Sequence, residues 1–312
     1  MKPFLPALVA LFLFLIWSSS FVAIGFLLGG DSAAARFDWP SLTVARFVTI
    51  LPICLLYGWL RRRDVLDLVR RHPGRLLLCS ILAVPGYNFA LYYGQQHGVP
   101  APVASLTTTL VPLFVMALAV LFLGEKLTAR RVLAFAVSLA GMLVIAFAKR
   151  GAGAPVGYGL SVAVTALAPL SWSIFTILSK PIAGTVPPLL WTYTYIAIGT
   201  LPLLFLLPFK GAPQLLALDA TGWSALLFLS LACTALGFVL WGWLLKHLPA
   251  STVGLTVFLN PPLTSLSKYT LSILFPATFL FTIGSLEWLG GAIVLSGLAI
   301  AVLRLPRRSR TP

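Results

Sequence analysis

The sequence predicts an all-α integral membrane protein, with ten transmembrane helices arranged as two inverted five-helix repeats and both termini in the cytoplasm. Three observations predict it. The composition is 59% hydrophobic and only 9% charged, with a mean hydropathy of +1.00, whereas soluble chains run about 45–50% apolar and about 25% charged. The apolar residues fall into ten runs parted by short polar or Pro/Gly-rich connections. The second half of the chain also repeats features of the first at a nearly constant offset.

Each observation excludes something. At about 20 residues per crossing, ten crossings leave room only for short connections in a chain of 312 residues, so no large soluble domain fits. Soluble dinucleotide-binding, nucleic-acid-binding and disulfide-stapled classes are excluded with it. The formal charge of +15 would suggest nucleic acid in a soluble domain; in a membrane protein, basic residues gather in cytoplasmic loops instead. Cys54, Cys79 and Cys233 each lie inside or at the edge of an apolar run with no CxxC partner. They read as small buried apolar residues rather than metal ligands or a disulfide framework.

The ten spans are 4–28, 40–60, 76–95, 101–123, 130–148, 157–179, 188–208, 222–245, 251–275 and 287–304. They are read as helices because an open-ended segment in lipid must satisfy every backbone amide internally. The first span has features of a secretory signal, since Lys2 precedes it and Ser32-Ala33-Ala34-Ala35 follows. Its apolar stretch is too long for the roughly 7–15 residues of a signal core, so it is expected to be retained. With the N-terminus inside, Lys2, the Arg61 to Arg75 connection, Lys126, Arg130, Arg131, Lys180, Lys246 and Arg304 to Arg310 put 16 basic residues on the inner side. Arg36, Lys149, Arg150 and Lys210 put 4 outside, while Arg46 and Lys268 fall within spans. An even number of crossings keeps the Arg-rich C-terminus inside, as the positive-inside rule requires. The expected location is the bacterial inner membrane.

The internal repeat is the most informative feature. Pro100-Ala101, Ser105-Leu106-Thr107, Leu110 and Pro112 recur 149 residues later as Pro249-Ala250, Gly254-Leu255-Thr256, Leu259 and Pro261. Trp17-Ser18 is echoed by Trp172-Ser173, and Leu139-Ala140-Gly141 by Leu295-Ser296-Gly297 at an offset of 156. The halves are therefore 1–150 and 151–312. Five helices per half make the second enter the membrane upside down, a recurring plan of alternating-access transporters with a substrate site near the midplane.

At these residues the chain resembles a known family. Trp17-Ser18-Ser19-Ser20-Phe21, Ala45-Arg46-Phe47, Ala104-Ser105-Leu106 through Pro112, and Leu123-Gly124-Glu125 to Gly141 follow its pattern in the first half. Leu248-Pro249-Ala250 through Leu259-Asn260-Pro261, then Glu287-Trp288-Leu289-Gly290-Gly291 to Gly297, follow it in the second. The chain is similar to the EamA-type branch of the drug/metabolite transporter superfamily. That resemblance implies a ten-helix secondary transporter, often an exporter of amino acids or related metabolites. One departure is local: where a second Leu-Gly-Glu segment would stand, the sequence reads Ser272-Ile273-Leu274, then Phe275-Pro276 and additional residues.

No catalytic constellation is present. His72, His97 and His247 lie in or beside connections with no second ligand at metal spacing. The GxxxxGK[ST], GxSxG and HExxH patterns are missing, so neither ATP hydrolysis nor an intramembrane enzyme has residues to point to. What remains is a polar and aromatic inventory inside the spans. The expected substrate-binding set is Trp17, Ser19, Arg46, Tyr87, Asn88, Tyr92, Thr108, Trp172, Ser173, Tyr195, Asn260 and Lys268, with Pro112 and Pro261 as hinges that free backbone carbonyls. Trp17 and Trp172 are expected to approach one central site. Arg46 and Lys268 have two readings: a cation facing a water-filled cavity or a partner, or one snorkelling to the outer headgroups or bonding to backbone carbonyls. Glu125 reads as a local ion pair or cap, Glu287 as an acid at a helix start, and Gly25 with Gly29 as a packing step.

The function expected is export of amino acids, aromatic ones included, or related compounds by alternating access. A drug or organic-anion efflux transporter is the alternative within transport, and an integral-membrane enzyme the alternative outside it. The expected partners are a small-molecule substrate and the bilayer, with no nucleic acid, ATP, metal or cofactor. The oligomeric state is open, a monomer included.

Overall fold

The computed structural model describes residues 4–29, 35–148, 158–275 and 285–302. Lys2, Ser32 to Ala34, Lys149, Arg150, Pro276 and Arg304 to Arg310, on which parts of the sequence reading drew, lie outside the described residues, as does the side chain of Glu287.

The described chain is helical. Its elements are α1 (Phe4–Leu27), α2 (Trp39–Leu60), α3 (Arg62–Arg71), α4 (Pro73–Gln96), α5 (Ala101–Leu123), α6 (Ala129–Ala148), α7 (Gly159–Ala183), α8 (Pro188–Leu204), α9 (Ala212–Leu216), α10 (Ala220–His247), α11 (Ala250–Leu255, a tight turn Thr256–Leu259, then Asn260–Leu274) and α12 (Ser285–Val302). Among the described residues, six of these (α1, α2, α4, α5, α7 and α10) are long and apolar enough to cross a membrane by length and composition. Start signals are local. Asp38 accepts from Ser41 N at 3.0 Å ahead of α2, and Asp219 accepts from Gly222 N at 3.0 Å ahead of α10, each satisfying an amide that a helix start leaves open.

Two local expectations need correction. The Arg61 to Arg75 connection is not a simple loop, because residues 62–71 form α3. Its Leu68 is buried, with Val65 and Val69 packed beside it, so a short amphipathic face holds the segment against the bundle. Gly29 does not share a packing stripe with Gly25. It lies past the end of α1 with φ of +83°, the left-handed region in which glycine ends helices.

The packing follows a two-fold pattern. If α1, α4, α5 and α6 correspond to α7, α10, α11 and α12, the contact of α1 with α11 is answered by that of α7 with α5. The contact of α1 with α10 is answered by that of α7 with α4. α2 packs on α8 and α6 on α12, each an element against its own counterpart. At the α6–α12 contact the glycines sit against backbone: a Cβ on Gly141 would lie 2.7 Å from Gly290 O, and one on Gly297 would lie 2.7 Å from Ser138 N.

The helices are broken at matched places. α5 is interrupted at Thr108 and Thr109, and α11 tightens over Thr256–Leu259. Both breaks lie about one turn ahead of Pro112 and Pro261, whose rings supply no N–H and crowd the carbonyl four residues back. Threonine hydroxyls bond back to carbonyls at the breaks: Thr108 donates to Ser105 O at 2.7 Å, and Thr256 to Val253 O at 2.6 Å. A second matched pair consists of wide π-type turns over Leu82–Gly86 in α4 and Phe228–Leu236 in α10.

Candidate functional site

These breaks surround a central cavity. Its wall is formed by α1, α2, α4, α5, α7, α10 and α11, and the empty space it borders, open solvent included, is about 490 Å³.

One wall is aromatic. Trp17 and Trp172 both line the cavity and meet edge to face, their ring centroids 5.3 Å apart. Tyr87 packs on Trp172 at 5.3 Å, and Phe14 and Phe238 extend the surface. Trp17 is oriented by its N–H, which donates to Cys233 O at 2.9 Å in the wide turn of α10. Gly237 leaves room for the ring, because a Cβ there would collide with the indole nitrogen.

Arg46 on α2 also lines the cavity. It is 4% exposed yet reaches the cavity wall, so snorkelling to headgroups does not describe it. Its Nε donates to Thr234 Oγ1 at 2.7 Å, and its Nη1 donates to Tyr92 OH at 2.5 Å and Asn88 Oδ1 at 3.3 Å. Asn88 in turn donates to Ala83 O and Val84 O, carbonyls in the wide turn of α4. Ser230 Oγ donates to the Arg46 carbonyl at 2.9 Å. The guanidinium thus joins the two wide turns, one from each half, through neutral oxygens. No acidic residue lines the cavity among the described residues.

A third group is polar and uncharged. Asn260 Nδ2 donates to Thr108 Oγ1 at 3.2 Å, and Ser18 Oγ donates to Asn260 Oδ1 at 3.1 Å. This connects α1, α5 and α11 at the helix breaks.

Of the expected substrate-binding residues, Trp17, Arg46, Tyr87, Thr108, Trp172 and Asn260 line this cavity together. Asn88 and Tyr92 stand behind Arg46. Ser19 faces α11, within 3.0 Å of Ser267 Oγ. Ser173 is buried and donates to Pro169 O, and Tyr195 packs between Phe175, Trp191 and Phe238. Lys268 is buried on α11 away from the lining. The sequence reading missed Thr234 and Ser230, which hold Arg46, and Trp241, whose ring lies 5.5 Å from Trp17. Small hydroxyls in an apolar helix carry no signal by themselves; only the wide turn, invisible in the pattern, aims them at Arg46.

The two ends of the bundle are tied differently. At one end Arg36 Nε meets Asp219 Oδ1 at 2.9 Å, and Lys210 meets Asp38, each pair joining the two halves. Hydrogen bonding from Arg36 lowers the Asp219 carboxyl to about 2. Burial pushes the Asp38 carboxyl up, but Lys210 and the Ser41 donors outweigh it and hold it below the usual range. At the other end Glu125 does more than pair locally with Arg131 at 3.4 Å. Its carboxylate accepts from Ala250 N at 2.7 Å and Ser251 Oγ at 2.5 Å, capping the start of α11 in the opposite half.

Comparison with known proteins adds lineage to this geometry. Residues 4–147 and again 159–303 match the EamA-like transporter family. A protein of Streptantibioticus cattleyicolor named "Probable terminal-alkyne amino-acid exporter" is 31% identical over 79% of this chain and 78% of its own length. An "Uncharacterized transporter" of Archaeoglobus fulgidus is 26% identical over 92% of this chain and 94% of its own. "Protein RarD" of Streptomyces exfoliatus is 26% identical over 81% and 75%. A solved crystal structure shares the fold at a TM-score of 0.70 over 95% of this chain and 96% of its own, with 22% identity.

Proposed function

The chain belongs to the EamA-like transporter family, and from that premise we propose that it is a secondary transporter exporting amino acids, aromatic ones among them, by alternating access. Membership makes it a multi-pass transporter of the plasma membrane. The finer reading adds ten crossings as two inverted five-helix repeats, termini inside, with the substrate held at the midplane between them. Positive-inside charge asymmetry supports the orientation. The exchange of contacts between α1–α11 and α7–α5 supports the inversion.

The observation that carries the substrate class is the meeting of Arg46 with the aromatic wall in one small cavity. Nη2 of Arg46 makes no hydrogen bond to the protein among the described residues, so its two N–H groups remain for a carboxylate while the Nε and Nη1 hydrogens are already engaged by Thr234, Tyr92 and Asn88. Trp17, Trp172 and Tyr87 offer ring faces to an apolar or aromatic side chain. A substrate ammonium would meet the Asn260–Thr108 pair and aromatic faces. Pro112 and Pro261 would let α5 and α11 bend where they are already broken, so that access alternates around a fixed site. The name of the Streptantibioticus relative points the same way.

Counterflow of labelled phenylalanine and leucine into proteoliposomes loaded with the same amino acid tests this. Exchange above that of empty liposomes is expected. No exchange with any amino acid of a full panel overturns the reading. The cavity wall bears a cation and no acid among the described residues, which also favours a second reading, organic-anion efflux. Phenylpropionate exchanging as fast as phenylalanine would select it.

A further inference from the structure

The sequence places six arginines between residues 61 and 75, and the structure divides them into two groups. Arg61 pairs with Asp64 and Arg71 with Asp67. Arg62, Arg63, Arg70 and Arg75 are exposed and make no ion pair within the described residues. On α3, at about 100° per residue, Arg62, Leu66, Arg70 and Arg63 follow one another around the helix as one continuous strip. Asp67, Arg71 and Asp64 come next, on the flank past Arg63, and the buried Leu68 with Val65 and Val69 completes the circuit.

That leaves an acid-free strip with Leu66, 53% exposed, set between guanidinium groups. Beside it Trp59 and Leu60, 65% and 66% exposed, end α2, and Leu77 and Leu78 continue an exposed apolar surface beyond Arg75. Leu68 is buried against the bundle and keeps α3 in this position.

We infer that this strip is a binding surface for anionic phospholipid headgroups. An exposed leucine among unpaired arginines suits the boundary of a bilayer, where the apolar side chain enters the acyl region and the guanidiniums meet lipid phosphates. Charge selects the partner. A zwitterionic headgroup carries its own cation to compete for the phosphate, whereas phosphatidylglycerol does not, and clustered basic residues beside a span attract anionic lipid. The inference does not depend on what the protein transports.

Trp59 provides the readout, exposed and two residues before Arg61 in the chain. Purified protein is placed in phosphatidylcholine bilayers containing either brominated phosphatidylglycerol or brominated phosphatidylcholine. The share of quenching due to Trp59 is isolated by comparison with Trp59→Phe. Stronger quenching by the anionic lipid is expected, with a preference of roughly fivefold for each arginine engaged. Arg63→Gln with Arg70→Gln should bring the preference close to one. Arg61→Gln with Arg71→Gln removes the same charge from paired positions and should keep most of it. Equal quenching by the two lipids in the parent overturns the inference. So does an equal loss in the two double variants, or displacement of the lipid by millimolar glycerol phosphate. Size-exclusion profiles establish that the variants are folded before they are compared.

Discussion

The indoles of Trp17 and Trp172, matched positions of the two halves, meet edge to face with ring centroids 5.3 Å apart and an interplanar angle of 85°. The Trp17 N–H is engaged by Cys233 O, so its ring is held by a directed bond as well as by packing. Trp17→Phe keeps an aromatic ring and loses that bond, and should cost about 1 kcal/mol of stability. Trp17→Ala also empties the space between Phe14, Trp172 and Trp241, and should cost about 3–5 kcal/mol. Thermal unfolding in detergent measures both. A Trp17→Phe variant as stable as the parent would show that the hydrogen bond contributes nothing.

Arg46 makes the sharpest prediction about transport. Lysine keeps the charge but cannot span Thr234, Tyr92 and a substrate carboxylate together, so Arg46→Lys should lower transport about tenfold or more, the scale of one lost charged hydrogen bond. Arg46→Gln should lower it further. Proteoliposome uptake normalised to folded protein decides, and unchanged Arg46→Gln kinetics would return the residue to a structural role.

The proline pair should act on rate rather than affinity. Pro112→Ala restores an amide donor beside the break in α5, and Pro261→Ala does so in α11. Each should slow turnover severalfold while leaving KM within about twofold, since neither ring is among the cavity-lining residues. A change in KM alone, with turnover preserved, would contradict a hinge role.

The Arg36–Asp219 pair has a defined pH window. The Asp219 carboxyl is depressed to about 2 in the folded protein, against about 3.9 unfolded. Its contribution is therefore present above the unfolded value and is lost as pH falls through the folded one. Asp219→Asn keeps an oxygen for the Gly222 amide and removes the charge together with the second oxygen that accepts from Arg36 Nη2. The gap in melting temperature between parent and Asp219→Asn should be constant from about pH 5 to 8 and narrower at about pH 3. A gap that widens on acidification would reverse the assignment.

Orientation is testable with single cysteines, because the native Cys54, Cys79 and Cys233 are buried. A cysteine at exposed Ala217 should react with an impermeant maleimide added to intact cells, and one at exposed Gly74 should be protected. The opposite pattern would invert the topology.

How much of this is legible in the sequence depends on whether the information is local. Apolar run length places the helices. The matched Trp17-Ser18 and Trp172-Ser173 pairs point to the cavity because a repeat carries equivalent positions to equivalent places. Pro112 and Pro261 mark the breaks because a missing N–H acts within one turn. Thr234 is not legible: its role requires a wide turn in α10 and an arginine 188 residues away in sequence. Glu125 is half legible, since its Arg131 partner is near in sequence and its Ala250 partner is in the other half. Tyr195 and Ser173 have the polarity of binding residues, but in this fold their neighbours are protein rather than cavity.

The glycine contact between α6 and α12 is reciprocal between the two halves. Gly141 approaches Gly290 and Val294, and Gly297 approaches their counterparts Ala134 and Ser138. Such reciprocity is how two copies of one subunit meet across a dyad. The chain can then be divided on paper between its two matching halves without cutting that bond. Separately translated halves, 1–150 and 151–312, should find each other in one cell and restore the transporter, and Gly141→Leu should prevent their reunion.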